Sequence, residues 1–150
     1  MKEILLNDNW LFHKENEVEG CVTLPHTYNA VDGQSGISMW RGKGFYKKEV
    51  LFSEEDLKEK IFLEIGASAM KSTVYMNGKT ICHNTCPYAM YRIALNEHII
   101  VGKNLLEIVT DNTATDEVYP QMADFSFYGG VYRDVKLVFV PQQLHFDYLD

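Results

Sequence analysis

Asp124 is the residue whose surroundings most invite chemistry. It lies in "ADFSFYGGVYRDVKL", with Phe125, Phe127 and Tyr128 close behind it and Gly129-Gly130 next. An ionised carboxylate offers acceptors only. The aromatic rings offer flat apolar faces. A sugar presents the complement, apolar C–H faces and hydroxyl donors, and a hydroxyl-to-carboxylate hydrogen bond is stronger than a neutral one. The double glycine allows a sharp turn from loop into strand. The same residues also fit a structural aspartate capping a turn, with the aromatics as core filling. Residue types alone leave both readings open.

Other constellations are weaker. Cys82, His83 and Cys86 could begin a zinc site, but no fourth ligand and no paired-cysteine spacing accompany them. They are expected on a hairpin strand and the loop after it, with no metal bound. His13, His26, His83, His98 and His145 are scattered, and His26 in "LPHTYN" is expected to order its own loop. No G-x-S-x-G elbow or phosphate-cradling glycine loop occurs. Asp111, Asp116, Glu117 and Asp124 fall in or beside one loop, but the sequence fixes no separation between them, so a self-sufficient carboxylate pair has no support. If Val131 to Val140 is one strand, Arg133 shares the more apolar face with Val131, Val135, Leu137 and Phe139. A buried guanidinium there would need partners and would tie loop to sandwich.

The elements that position these residues are mostly strands. "KIFLEI" alternates, placing Ile61, Leu63 and Ile65 on one face. "STVYM-NG-KTICH" reads as a hairpin, because Asn77-Gly78 suits the positive φ angles of a type I′ turn. "GFYKKEVLF", "YRIAL", "NLLEIVTDN", "VYRDVKLVFV" and "QLHFDYL" supply further strands. "SEEDLKEK" opens with Ser53 and Asp56 in a capping-box pattern, enough for a turn or two of helix. The N-terminal third reads as irregular, with turn formers through "VTLPHTYNAVDGQSG". Residues 112 to 130 form a second long loop, of the kind that often carries function. At least six strands, one short helix and two long loops predict an all-β, antiparallel β-sandwich in a single domain spanning 1 to 150.

Composition agrees. In 150 residues, 46% are hydrophobic, 23% charged and 13% aromatic, which is globular composition tilted toward strands. A formal charge of −7 argues against nucleic acid or an anionic membrane as partner. Three cysteines make no complete disulfide set. Residues 1 to 20 hold no apolar signal core, so the cytoplasm is the expected location.

Several motifs together resemble the N-terminal sugar-binding domain of glycoside hydrolase family 2. "ADFSFYGGVYRDVKL" resembles that domain's closing motif. "NDNWLF", "VTLPHTYNAVDGQ", "RGKGFYKKEV", "STVYMNGKTICHNTCPYAMYRIAL" and "VGKNLLEIVTDN" follow the family's order, and the likeness runs from about residue 7 to 148. The "LPHTYNAVDGQ" and "DFSFYGGVYRDV" pair is most similar to the β-galactosidase branch. "NTCPYAMY" and "GQSGISMW" depart from the family pattern, so contacts of those loops are not carried over.

The resemblance implies a jelly-roll sandwich of the galactose-binding type. It further implies an immunoglobulin-like domain and a (β/α)₈ barrel outside these 150 residues, the barrel supplying both catalytic glutamates of a retaining mechanism. No catalytic residue, cofactor or metal is then expected in this chain. Asp124 takes the role of the family acid that reaches the terminal sugar. Asn29 is the nearest candidate for a contributing asparagine from the first long loop, and Tyr128 the aromatic neighbour. The expected function is a sugar-binding domain contributing to the substrate subsite of a β-galactosidase. Its partners would be a β-galactoside or related glycoside, the enzyme's own barrel and, in the full enzyme, a homo-oligomer. The alternatives are a free-standing carbohydrate-binding module or lectin, and a domain that docks the barrel through apolar surface near Met122 and Tyr128.

Overall fold

The computed structural model describes residues 1–32, 38–118 and 128–142. Ten strands run in chain order: β1 Lys2–Leu5, β2 Trp10–Lys14, β3 Gly20–Val22, β4 Lys43–Phe52, β5 Lys60–Ile65, β6 Lys71–Met76, β7 Lys79–Asn84, β8 Tyr91–Ala94, β9 Gly102–Asp111 and β10 Val135–Val140. They form a four-stranded sheet ordered β1-β10-β5-β8 and a six-stranded sheet ordered β3-β2-β4-β9-β6-β7. Every pairing between these strands is antiparallel, as the sandwich expectation required.

Period-two patterning decides which face each strand buries. Ile61, Leu63 and Ile65 of β5, all fully buried, meet Val74, Met76, Leu106 and Ile108 of the other sheet in one core. Trp10 and Tyr46 are its largest fully buried side chains, packed edge to face at 6.4 Å. The Asn77-Gly78 hairpin turn forms as expected, with φ of 51° and 79°. Ser53 and Asp56 bond reciprocally: each backbone N–H donates to the other's side chain, at 2.9 and 3.1 Å. The helix they open is a single 3-10 turn, Asp56–Lys58.

Two expectations need correction. The N-terminal third is not wholly irregular, since β1, β2 and β3 lie in it. Strands of three to five residues carry little periodic signal. Arg133 does not lie on an apolar strand face. β10 starts only at Val135, so alternation does not reach residue 133. Arg133 is exposed, with its guanidinium over the Tyr132 ring at 5.7 Å. The proposed strand "QLHFDYL" lies outside the described residues.

Candidate functional site

The described part of the site is residues 128–131, which follow Asp124 in sequence, and the backbone that holds them. Gly130 forms an isolated antiparallel bridge with Ala69: Gly130 N–H donates to the Ala69 carbonyl at 3.1 Å and Ala69 N–H to the Gly130 carbonyl at 2.9 Å. On the other side, Tyr28 N–H donates to the Gly129 carbonyl at 3.1 Å and His26 N–H to the Val131 carbonyl at 2.8 Å. The returning chain is therefore clamped between the first long loop and the segment joining β5 to β6.

Glycine is required at both hinge positions. A Cβ on Gly129 would lie 2.2 Å from Tyr28 Cζ, and one on Gly130 2.4 Å from the His26 carbonyl oxygen. Gly130 also has φ of +128°, outside the regions that other residues favour.

Asn29 lies under this hinge. It is fully buried. Its Oδ1 accepts the Gly129 N–H at 3.0 Å, and its Nδ2 donates to the Trp40 carbonyl at 3.2 Å. The sequence placed Asn29 and Tyr128 at one site, and the fold does bring them together: Asn29 holds the peptide that joins Tyr128 to Gly129. Tyr128 itself is 45% exposed. Asp124 and Met122 lie outside the described residues.

Tyr46 and His26 complete the base. Tyr46 Oη is 2.8 Å from His26 Nδ1 and accepts the Val131 N–H at 3.4 Å. Burial pushes the Tyr46 hydroxyl well above its ordinary range, so it stays protonated. Burial, helped by the charge of Lys14, pushes the His26 imidazole below its usual value. The His26 ring and the Val131 N–H thus both meet the Tyr46 hydroxyl. His26 does order its own loop, and it orders the hinge as well.

The first loop is closed by its own residues. Tyr28 Oη donates to the Gly42 carbonyl at 3.2 Å, and its ring meets Trp40 edge to face at 5.4 Å. Asp32 Oδ2 accepts the Trp40 N–H at 2.8 Å. Asn112, also fully buried, accepts the Gly42 N–H at 2.8 Å. Tyr46, Asn112 and Tyr28 are the site-building residues that sequence reasoning missed. A tyrosine within a strand looks like any core aromatic, and only the turn-forming context of "TDN" hinted at Asn112.

Cys82 and His83 sit on β7 and Cys86 on the loop after it, as expected. Successive strand residues point to opposite faces. Cys82 accordingly packs against the core while His83 is exposed. Among the described residues no group of three or more metal-ligating side chains assembles, and no helix is long and apolar enough to cross a membrane.

The two-sheet antiparallel sandwich with its pinned double glycine is a β-sandwich domain, and its class is given by the family it matches. Residues 2–141 match the family model described as "Glycosyl hydrolases family 2, sugar binding domain", and the chain belongs to that family. It is 33% identical over 146 residues to a β-glucuronidase of Bacteroides fragilis, covering 94% of this chain and 21% of the relative. A crystal structure of a Bacteroides uniformis β-glucuronidase superposes with a TM-score of 0.86 at 28% identity, over 93% of this chain and 18% of that one. A Bacteroides fragilis structure provisionally described as a β-galactosidase gives a TM-score of 0.85 at 25% identity, over 94% of this chain and 23% of that one. The chain thus spans about a fifth of the length of the relatives it matches.

Proposed function

We propose that this domain forms one wall of the sugar subsite in a retaining family 2 β-glycosidase, with β-glucuronides as its substrate class. The observation that carries this reading is the pinned double glycine. Gly129 and Gly130, which in sequence directly follow Asp124, Phe125, Phe127 and Tyr128, sit on a base fixed by Asn29, Tyr28, His26 and Ala69. A fixed base is what a substrate contact needs if it is to be held within a fraction of an ångström.

In this reading Asp124 accepts a hydroxyl of the non-reducing sugar. The bond accelerates hydrolysis if it tightens as the ring distorts toward the transition state. Tyr128 offers an exposed ring to the sugar's apolar face. Asn29 acts from beneath, by fixing the Tyr128–Gly129 peptide. The acid and the nucleophile are glutamates of a barrel domain elsewhere in the longer protein.

The relatives' names support glucuronides over the galactosides that the motifs favoured. The Bacteroides fragilis structure keeps β-galactosides as the second reading. Assays of the full-length protein on chromogenic β-D-glucuronide and β-D-galactoside separate the two. Asp124→Ala in that protein is expected to lower kcat/KM at least about tenfold, near 1.4 kcal/mol of transition-state binding. A change under about twofold on the better substrate removes Asp124 from the subsite.

A further inference from the structure

The outer face of the six-stranded sheet carries a second constellation, unused by the proposed function. Strand register lays it out as a grid. Lys43, Asp111 and Lys71 stand opposite one another across β4, β9 and β6. Two residues along, Phe45, Val109, Thr73 and His83 form the next row. Lys47, Glu107 and Tyr75 form the third. Val109 and Thr73 at the centre are short, while Lys43, Lys71, Tyr75 and His83 around them are long. The result is a depression of about 220 Å³.

Two lysines line it against one carboxylate, Asp111. Asp111 Oδ1 already accepts the Thr113 N–H at 2.9 Å and hydroxyl at 2.6 Å, and no hydrogen bond to its Oδ2 forms among the described residues. Lys71 reaches Glu117 at 3.4 Å. Lys43 makes no ion pair among the described residues. His83 Nδ1 is bonded to Thr73 Oγ1 at 3.1 Å, so Nε2 faces solvent. Tyr75 and Val109 supply apolar surface.

We propose that this depression binds a single carboxylated pyranose unit. The ring's C–H face lies on Tyr75 and Val109. Its hydroxyls bond to Asp111 Oδ2, Thr73 and His83, and its carboxylate pairs with Lys43. A neutral sugar would leave Lys43 unused. A phosphate would gain nothing from the apolar floor. The volume is small for a drug-sized ligand, which suits one ring. The proposal does not rest on the subsite reading, because none of the residues lining the depression belongs to 128–131 and the binding needs no catalysis.

Amide-resolved NMR titration of the 150-residue chain tests it, with methyl β-D-glucuronide, methyl β-D-glucoside and inorganic phosphate as probes. The glucuronide should shift the amides of Thr73, His83, Val109 and Asp111 saturably, with Kd about millimolar. The glucoside should bind about fivefold more weakly, the range of one exposed ion pair. The exposed change Lys43→Ser should abolish that preference, and Tyr75→Ala should weaken both sugars. Added salt should weaken only the glucuronide. Equal affinity for the two sugars, equal affinity for phosphate, or no saturable shift overturns the proposal. Shifts confined to Tyr128–Val131 also overturn it, while leaving the subsite reading intact.

Discussion

Asn7, Asn29, Asn104 and Asn112 are all buried, and each uses its side-chain amide to satisfy backbone that the strands leave unpaired. Asn7 accepts the Val135 N–H at 3.0 Å where β10 begins. Asn104 donates to the Ile100 carbonyl at 2.8 Å and accepts the Ile100 N–H at 2.9 Å, knotting the loop before β9. Asn29 does the same work for the hinge. Asn29→Ala orphans the buried Gly129 N–H and should cost about 1–3 kcal/mol, read from urea unfolding. An unchanged midpoint would mean that the amide is satisfied without Asn29. Gly129→Ala should cost at least about 2 kcal/mol, because its methyl would overlap the Tyr28 ring. Pairing it with Tyr28→Ala in a double-mutant cycle should recover part of that loss. Strict additivity would show that the clash is not the cause.

Among the elements, the four-stranded sheet is crossed by a ladder of charge. Arg92 of β8 pairs with Glu64 of β5 at 3.0 Å. Glu64 pairs with Lys136 of β10 at 3.0 Å, and Lys136 with Glu3 of β1 at 3.2 Å. Burial by itself would raise the Glu64 carboxyl, but hydrogen bonds and charge from Lys136 and Arg92 outweigh it and hold it below the ordinary glutamate value. The sign follows by linkage. A carboxyl with a depressed folded-state pKa adds stability above its unfolded value, near 4.3, and loses it as pH falls through the lower folded value. Glu64→Gln should therefore lower Tm clearly at pH 7, by about 1–3 kcal/mol of stability. The two proteins should converge as pH falls from about 5 toward 3. A gap that does not narrow at all as pH falls below the unfolded value, near 4.3, would assign the effect to packing instead.

For the whole molecule, the proposed division of labour puts the reacting carboxylates on another domain. The 150-residue chain should then show no turnover of chromogenic β-D-glucuronide or β-D-galactoside above the buffer rate. Measurable hydrolysis would move the catalytic pair onto this chain. The sandwich supplies what such a supporting domain must have. Two sheets share one core, and the long segment after β9 is returned to them through Gly129 and Gly130, next to the start of β6.

The sequence by itself determined the β class, the Asn77-Gly78 hairpin, the inward face of β5, and the weight given to the glycine pair. These are local matters of period-two burial and positive φ, written in neighbouring residues. It did not reveal β1 to β3, the true start of β10, or that Asn29 lies beneath the hinge with its amide on Gly129. Residues 29 and 129 meet across a sequence separation of 100. The same holds for Tyr46 and Val131, and for the charge ladder across four strands. Such contacts depend on register and sheet order, which arise when non-local strands pair and leave no mark on the spacing of any one segment.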